Sequence, residues 1–294
     1  MSPAWRPLAA FAALAQPRAE LWRTALGLVL TVALYWGAVF GTLTLIGHQL
    51  APMRFARLMA EISRAGTPAG LAMLLATFVP MALAVLAVTR ALHRRGLHSL
   101  LGPGAGRDAL RAGVPLFGLA LALFPLAFLD PNVGRSVPPA TVLRWLPLML
   151  PLLLVQIAAE ELIFRGYLLQ QLAARSRSPW VWMVAPSALF GALHYSPAEF
   201  GPMALWPALW AMGFGCLAAD LTARTGNLGA ALALHFTNNL SSMIFVGLYG
   251  QLDGLALYTI VINPRDAAAF GPYLAADVAT MLVAWLAARL ALRV

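Results

Sequence analysis

Long apolar runs separated by short polar segments occupy most of this chain. Eight of the runs can each supply the roughly 20 residues that a helix needs to cross a hydrocarbon layer about 30 Å thick. The third and fifth runs are the short ones. The pattern predicts an all-α, polytopic membrane bundle of about eight transmembrane helices, near residues 23–47, 69–92, 112–129, 143–173, 179–195, 203–225, 227–250 and 269–292.

Composition supports a membrane protein. Hydrophobic residues make up 61% of the 294 residues, charged residues 11%, and the mean hydropathy is +0.78. Soluble domains contain far more charge. The net charge of +9 is interpreted as arginine at the ends of membrane helices, so no nucleic-acid partner is expected. The single cysteine, Cys216, excludes an internal disulfide and a multi-cysteine metal site.

The distribution of arginine predicts the orientation. With eight spans and the N-terminus inside, thirteen arginines fall in cytoplasmic segments and six in outer segments, while Arg165 lies within a span. Because basic residues concentrate on the cytoplasmic side of a membrane, both termini are predicted to be cytoplasmic. The chain has no lysine and only short loops, which we interpret as typical of a bacterial inner-membrane protein.

Three polar clusters interrupt the apolar runs. They are E-E-L-I-F-R at 160–165 in the fourth predicted span, F-G-A-L-H at 190–194 near the far end of the fifth, and H-F-T-N-N at 235–239 in the seventh. Charged groups at membrane depth are costly and usually face a partner or a water-filled cavity. Each cluster is therefore a candidate functional site.

Helical spacing separates the two glutamates of the first cluster. Glu161 and Arg165 are four residues apart with the acid first, which favours an ion pair within one helix. Glu160 is rotated by about 100° from Glu161 and needs a partner from another helix. His235 and Asn239 are also four apart, so an imidazole and a carboxamide share one face.

A depth comparison predicts that the three clusters meet. At about 1.5 Å per residue, Glu160, His194 and His235 lie roughly 20, 22 and 12 Å from the cytoplasmic ends of their predicted spans. The plainer interpretation is a polar contact that locks helices together. We favour a functional site, because a structural contact has no need of a second carboxylate beside one that is already paired.

The three motifs resemble those of a known family, the CAAX protease and bacteriocin-processing (CPBP or Abi) intramembrane endopeptidases, which includes the eukaryotic Ras-converting CAAX endopeptidase. The resemblance covers about residues 143–245. Its motifs are Glu160-Glu161-x-x-x-Arg165, Phe190-x-x-x-His194 and His235-x-x-x-Asn239.

The resemblance implies a role for each candidate residue. Glu160 and His194 would activate a water molecule for attack on a peptide carbonyl. His235 and Asn239 would stabilise the resulting oxyanion. A carboxylate in an apolar cavity is a good proton acceptor from water, and donors aimed at the oxyanion lower the barrier. No cofactor is expected in this mechanism.

The resemblance also implies a domain organisation and partners. Residues 1–140 would be N-terminal transmembrane helices, 141–250 the catalytic core and 251–294 a C-terminal transmembrane helix. Glu161 and Arg165 would support the catalytic residues. The expected partners are membrane lipid and a peptide or membrane-anchored protein substrate.

Two alternatives remain open. Glu160, His194 and His235 could instead hold a catalytic zinc ion, since two histidines and a glutamate are a common zinc ligand set. The protein could also be a non-catalytic membrane scaffold or regulator, as some members of the family are thought to be. A solute transporter is disfavoured because the sequence has no internal repeat.

Other polar residues are given structural interpretations. Asp220 and Arg224, four apart near a span end, are predicted to form a surface pair. Asp277 in the last predicted span has no partner in the sequence and could line the cavity, but we favour a polar contact between helices. No functional role is assigned to three further histidines, namely His48, His93 and His98.

Overall fold

Helices dominate the fold in the computed structural model, which describes residues 3–294. They confirm the predicted all-α helical bundle. In chain order the α-helices are α1 Arg6–Ala13, α2 Leu21–Gln49, α3 Pro52–Arg64, α4 Pro68–Ala76, α5 Phe78–His93, α6 Leu97–Leu101, α7 Ala105–Leu123, α8 Pro139–Glu161, α9 Gln170–Ala173, α10 Ala185–Ala192, α11 Pro197–Phe200, α12 Leu205–Thr225, α13 Gly229–Leu240 and α14 Ala267–Leu292.

Among residues 3–294, five helical segments are long and apolar enough to cross a membrane, which indicates an integral membrane protein. They are Leu21–Gln49, Pro68–His93, Ala105–Leu129, Pro139–Ala173 and Ala267–Leu292. A sixth is present if α12 and the segment Pro197–Met203, which meet at 97°, form one broken span.

By length and composition, the described residues give five or six candidate spans where the sequence predicts about eight, and the difference lies in the shorter helices. The fifth predicted span corresponds to Trp180–Ala192, which is below the length of a span. The seventh, predicted over 227–250, ends as a helix at Phe245 and continues as a strand. Burial of α13 along much of its length explains its apolar sequence, since neighbouring helices rather than lipid surround it.

Three segments adopt the wider π-helical geometry. Leu162–Leu169 continues α8 directly after Glu161, Trp180–Val184 leads into α10, and Ser241–Phe245 continues α13. Short π-helical turns inside α-helices occur frequently at functional sites. Two of these segments adjoin the first and third polar clusters, where they change the direction in which following side chains point.

A small three-stranded sheet closes one end of the bundle. The strands are β1 Val133–Arg135, β2 Val246–Leu248 and β3 Tyr258–Ile260, in the order β1-β3-β2. β1 pairs with β3 antiparallel and β2 pairs with β3 in parallel. The sequence did not predict this sheet, because each strand has only three residues and lies beside a longer apolar helix.

Small residues bring the central helices close together. A Cβ atom on Gly229 of α13 would lie 2.1 Å from the Ala105 carbonyl oxygen of α7, and one on Gly191 of α10 would lie 2.5 Å from the Ala208 carbonyl of α12. Such close approach is typical of helix pairs in membrane proteins. These two contacts hold the second and third motifs against the rest of the bundle.

Asp220 joins the two ends of the chain. Its carboxylate accepts hydrogen bonds from the indole nitrogens of Trp5 (2.8 Å) and Trp285 (3.0 Å) and from Arg224 Nε (2.7 Å). The Asp220–Arg224 pair is therefore largely buried, and its assignment to the surface was wrong. Both ends of the chain lie at the same end of the bundle.

Candidate active site

Glu161 is the most buried member of the predicted site, with no exposed side-chain surface. Its Oε1 accepts a hydrogen bond from Arg165 Nη1 (2.9 Å), as the spacing predicts, and lies 2.8 Å from His235 Nδ1. Because Oε1 is a carboxylate acceptor, Nδ1 of His235 carries the hydrogen in this contact. Glu161 therefore orients the imidazole as well as pairing with the arginine.

Glu160 meets the other side of the same imidazole. Its Oε2 lies 3.6 Å from His235 Nε2. That separation is longer than an ordinary hydrogen bond but close enough for an ion pair when the imidazole is protonated. Glu160 thus finds its partner on another helix, α13, as predicted, and His235 lies between the two adjacent glutamates.

His194 follows the C-terminal end of α10. Its Nδ1 lies 2.9 Å from the Phe190 carbonyl oxygen, so Nδ1 donates to this acceptor. Nε2 of a neutral His194 is then left with a lone pair that can accept a hydrogen bond from water. Among the contacts of the described residues, none joins His194 directly to Glu160 or His235; they share a cavity instead.

Asn239 is oriented by two amides that the sequence interpretation did not single out. Its Nδ2 donates to Gln156 Oε1 (3.1 Å), and its Oδ1 accepts from Asn238 Nδ2 (3.1 Å). The carboxamide has two N–H donors, so one remains available. Gln156 stands four residues before Glu160 on the same helical face, a spacing that could have identified it.

A cavity of about 480 Å³ brings the candidate residues together. Its walls are mainly apolar and aromatic, as expected of a ligand-binding site in which a few polar groups fix orientation. The polar residues that line it include the four predicted catalytic residues and their neighbours, namely Tyr35, Gln156, Glu160, His194, His235, Asn238, Asn239 and Ser242.

Arg165 does not line the cavity but contacts residues that form its wall. Its side chain is 2% exposed, and the guanidinium carbon lies 4.9 Å from the centre of the Phe190 ring. This ring also lies 4.6 Å from the centre of the His194 ring. Arg165 therefore contacts the first and second motifs together.

The possible zinc ligands do not converge on one point. Within residues 3–294, no group of three or more His, Cys, Asp or Glu side chains is placed to hold a metal ion. His235 directs one ring nitrogen at Glu161 and the other at Glu160, and His194 does not converge with them. The side chains as arranged do not fit a three-ligand zinc centre.

Comparison with known proteins identifies the part of the chain that carries all three motifs. Residues 142–241 match the family described as type II CAAX prenyl endopeptidase Rce1-like. This segment, about a third of the chain, is similar to the Rce1-like family. The predicted resemblance is confirmed there, and every candidate residue from Glu160 to Asn239 lies within the Rce1-like segment.

A curated relative is similar over part of its length. The chain is 30% identical over 124 residues to the uncharacterized protein YyaK of Bacillus subtilis (strain 168), which covers 37% of this chain and 42% of the relative. The chain thus spans less than half the length of that relative. No solved structure gave a significant match.

Proposed function

We propose that this protein is an intramembrane endopeptidase that cleaves a peptide bond with water activated by Glu160 and His194. One observation carries the proposal: Glu160, His194, His235 and Asn239 come from three separate motifs and line one cavity. The Rce1-like segment supports the reaction class.

The proposed first step is activation of water. A water molecule in the cavity donates a hydrogen bond to the Glu160 carboxylate and a second one to the cavity-facing nitrogen of His194. Glu160 takes a proton from this water, and the hydroxide oxygen attacks the carbonyl carbon of the substrate peptide bond. No described arginine pairs with Glu160, so its carboxylate is free to accept the proton.

Attack on the carbonyl carbon produces an oxyanion, which needs hydrogen-bond donors. An imidazolium at His235 can donate from Nδ1 to Glu161 and from Nε2 into the cavity, and the remaining N–H of Asn239 is a second donor. Glu161 stabilises the imidazolium in the way that a buried carboxylate orients histidine in other hydrolases. Glu160 then gives its proton to the amine leaving group, which restores the enzyme and releases both peptide fragments.

Charge balance supports this assignment of protons. With both glutamates ionised and His235 protonated, the group formed by Glu160, Glu161, Arg165 and His235 has no net charge. A neutral cluster is far less costly in a low-dielectric interior than an isolated ion.

The test compares peptides released in membranes that contain wild type, Glu160→Gln and Glu199→Gln at equal protein levels. Glu199 undergoes the same chemical change but lies in α11, outside the cavity. We expect Glu160→Gln to lower cleavage about 100- to 10,000-fold, the range for loss of a general base. Glu199→Gln should release the same peptides as wild type.

Two outcomes would overturn the proposal. Equal peptide inventories from wild type and Glu160→Gln would favour the non-catalytic scaffold or regulator. Near-stoichiometric zinc in protein purified without chelators, removed together with activity, would favour the zinc-dependent protease and contradict the metal-free mechanism that we propose.

The substrate is proposed to be a peptide or a segment of a membrane-anchored protein. From the arginine distribution we infer that both termini face the cytoplasm of a bacterial inner membrane. Cysteine labelling at Ser63, in the short α3–α4 region, and at Arg175, after α9, tests this orientation in intact cells, because the two positions should lie on opposite sides.

A further inference from the structure

A second cavity of about 450 Å³ lies beside the candidate active site. It is formed where α7, α12, α13 and α14 meet. Four residues line both cavities, namely Trp210, Phe214, Asn238 and Ser242. The two spaces therefore share a wall formed by these side chains.

Asp277 of α14 is an exposed residue and is the acidic residue in the lining of this second cavity. It was assigned to a polar contact between helices, but among the described residues it has no hydrogen-bond or ion-pair partner, so that assignment was wrong. It lies ten residues into α14, about 15 Å from the start of the helix. A carboxylate at that depth normally faces a partner or a polar pathway.

The neighbouring polar groups present acceptors to the cavity. Ser241, Ser242 and Thr280 each donate the hydroxyl hydrogen to a backbone carbonyl, which leaves oxygen lone pairs for any ligand. Asn238 donates one amide N–H to Asn239, which leaves its carbonyl oxygen as an acceptor and its second N–H as a donor. With Asp277, these residues favour a ligand that supplies N–H donors and positive charge.

The rest of the lining also suits a cation. None of the described residues that line the cavity is basic, so Asp277 has no counter-ion within it. The rings of Trp210 and Phe214 are stacked with centres 5.6 Å apart, and aromatic faces attract ammonium and guanidinium groups. The cavity therefore combines a carboxylate, neutral acceptors and aromatic surface.

We propose that the second cavity is a substrate subsite that accepts a positively charged side chain or a terminal amine, with Asp277 as the counter-ion. This inference rests on the proposed function, because it places the basic group on one side of the peptide bond that Glu160 addresses. Asp277 is a specificity-determining residue in this scheme and takes no part in the bond cleavage.

Binding can be measured without cleavage in Glu160→Gln, so that specificity is tested apart from activity. The probes are fluorescently labelled apolar peptides that carry one arginine at each position in turn, paired with peptides that carry neutral citrulline there. At one position we expect arginine to bind about 10- to 100-fold more tightly than citrulline, as expected for a charged hydrogen bond. Adding Asp277→Asn should remove this preference.

Two further variants distinguish the charge of Asp277 from the shape of the cavity as the cause of the preference. Asp277→Glu keeps the charge and should keep the arginine preference, whereas Thr280→Val alters a neighbouring residue of the same cavity without removing charge and should also keep it. A preference that persists in Asp277→Asn would overturn the proposal. Equal binding of arginine and citrulline peptides at every position, or no binding of either, would overturn it without any variant.

The proposed function can fail separately. If wild type cleaves peptides but shows no preference for a basic group, the subsite is wrong and the protease stands. If wild type cleaves nothing while the arginine preference depends on Asp277, the protein binds cationic peptides without hydrolysing them, which is the result expected of the scaffold.

Discussion

Two helices of this protein carry the same pattern, an acid followed four residues later by arginine. Glu161 pairs with Arg165 at 2.9 Å, and Asp220 pairs with Arg224 at 2.7 Å. Both acids are buried. The pattern alone therefore indicates an ion pair and does not separate a candidate active site from a structural contact.

The remaining partners distinguish the two sites. Asp220 accepts its other hydrogen bonds from two indoles, which do not titrate, and it joins the ends of the chain. Glu161 contacts His235, which can carry a proton and faces a second carboxylate, Glu160, across a cavity. The proposed hydrolysis needs a titratable partner and a second carboxylate that no arginine neutralises. Of these two sites, the one around Glu161 has both.

Removal of Arg165 should have the largest effect on stability. Arg165→Met leaves Glu161 buried with His235 as its hydrogen-bond partner, and breaking a buried pair in this way costs about 3–5 kcal/mol. The unfolding midpoint of the purified protein in detergent should fall sharply. The double variant Glu161→Leu with Arg165→Met should recover part of that loss but not peptide cleavage, because His235 would no longer be oriented. Recovery of cleavage would mean that the pair is only structural.

Neutralisation of Asp220 should separate stability from activity. Asp220→Asn weakens the charged hydrogen bond to Arg224 and replaces an acceptor of two indoles, a loss of about 1.5–3 kcal/mol. We expect a lower unfolding midpoint with unchanged cleavage per folded molecule. A loss of cleavage at full folding would show that the contact between the chain ends also controls the site.

The sequence predicted contacts among the candidate residues better than it predicted the residues that surround them. Four-residue spacing sufficed for Glu161–Arg165, and the unpaired Glu160 did find a partner on another helix. Spacing carries no information about which helices pack together, so Gln156 was missed and Asp220 was placed at the surface.

The features of the fold that the sequence did not predict also depend on which elements pack together. Apolar runs predicted helices correctly but could not separate a helix surrounded by lipid from one surrounded by protein, so the short helices Trp180–Ala192 and Gly229–Leu240 were counted as spans. The three-residue strands depend on pairing between distant parts of the chain, which hydrophobic periodicity does not report.

Substitution of Gly191 by a larger residue should disturb the candidate active site without altering any polar side chain. Gly191→Ala places a Cβ atom 2.5 Å from the Ala208 carbonyl oxygen, so α10 must move away from α12. Overpacking of this kind costs about 1–3 kcal/mol, and cleavage should fall because His194 follows α10. Gly118→Ala is the control, since nothing lies within 4 Å of a Cβ atom there. Equal effects of the two substitutions would contradict the close packing.

The smallest expected effect concerns a third carboxylate, outside the spans. The Tyr273 hydroxyl donates to Asp130 at 2.5 Å and the Asn132 backbone N–H donates at 2.8 Å. The hydrogen bond from Tyr273 is the larger cause, and the one from Asn132 the smaller, that holds the pKa of Asp130 below its ordinary value of 3.8. Since the folded pKa is the lower one, the stabilisation is present above pH 3.8 and is lost as the pH falls through the folded pKa.

This pH dependence can be tested by measuring the unfolding midpoints of wild type and Asp130→Asn from neutral to strongly acidic pH. The wild type should be slightly more stable at neutral pH, and the difference should disappear in acid, where the Asp130 carboxyl is protonated and resembles the amide. A constant difference would show that the contact with Tyr273 does not depend on ionisation. Unlike Glu161 and Asp220, which are buried, Asp130 lies near solvent, so screening by water keeps its contribution small.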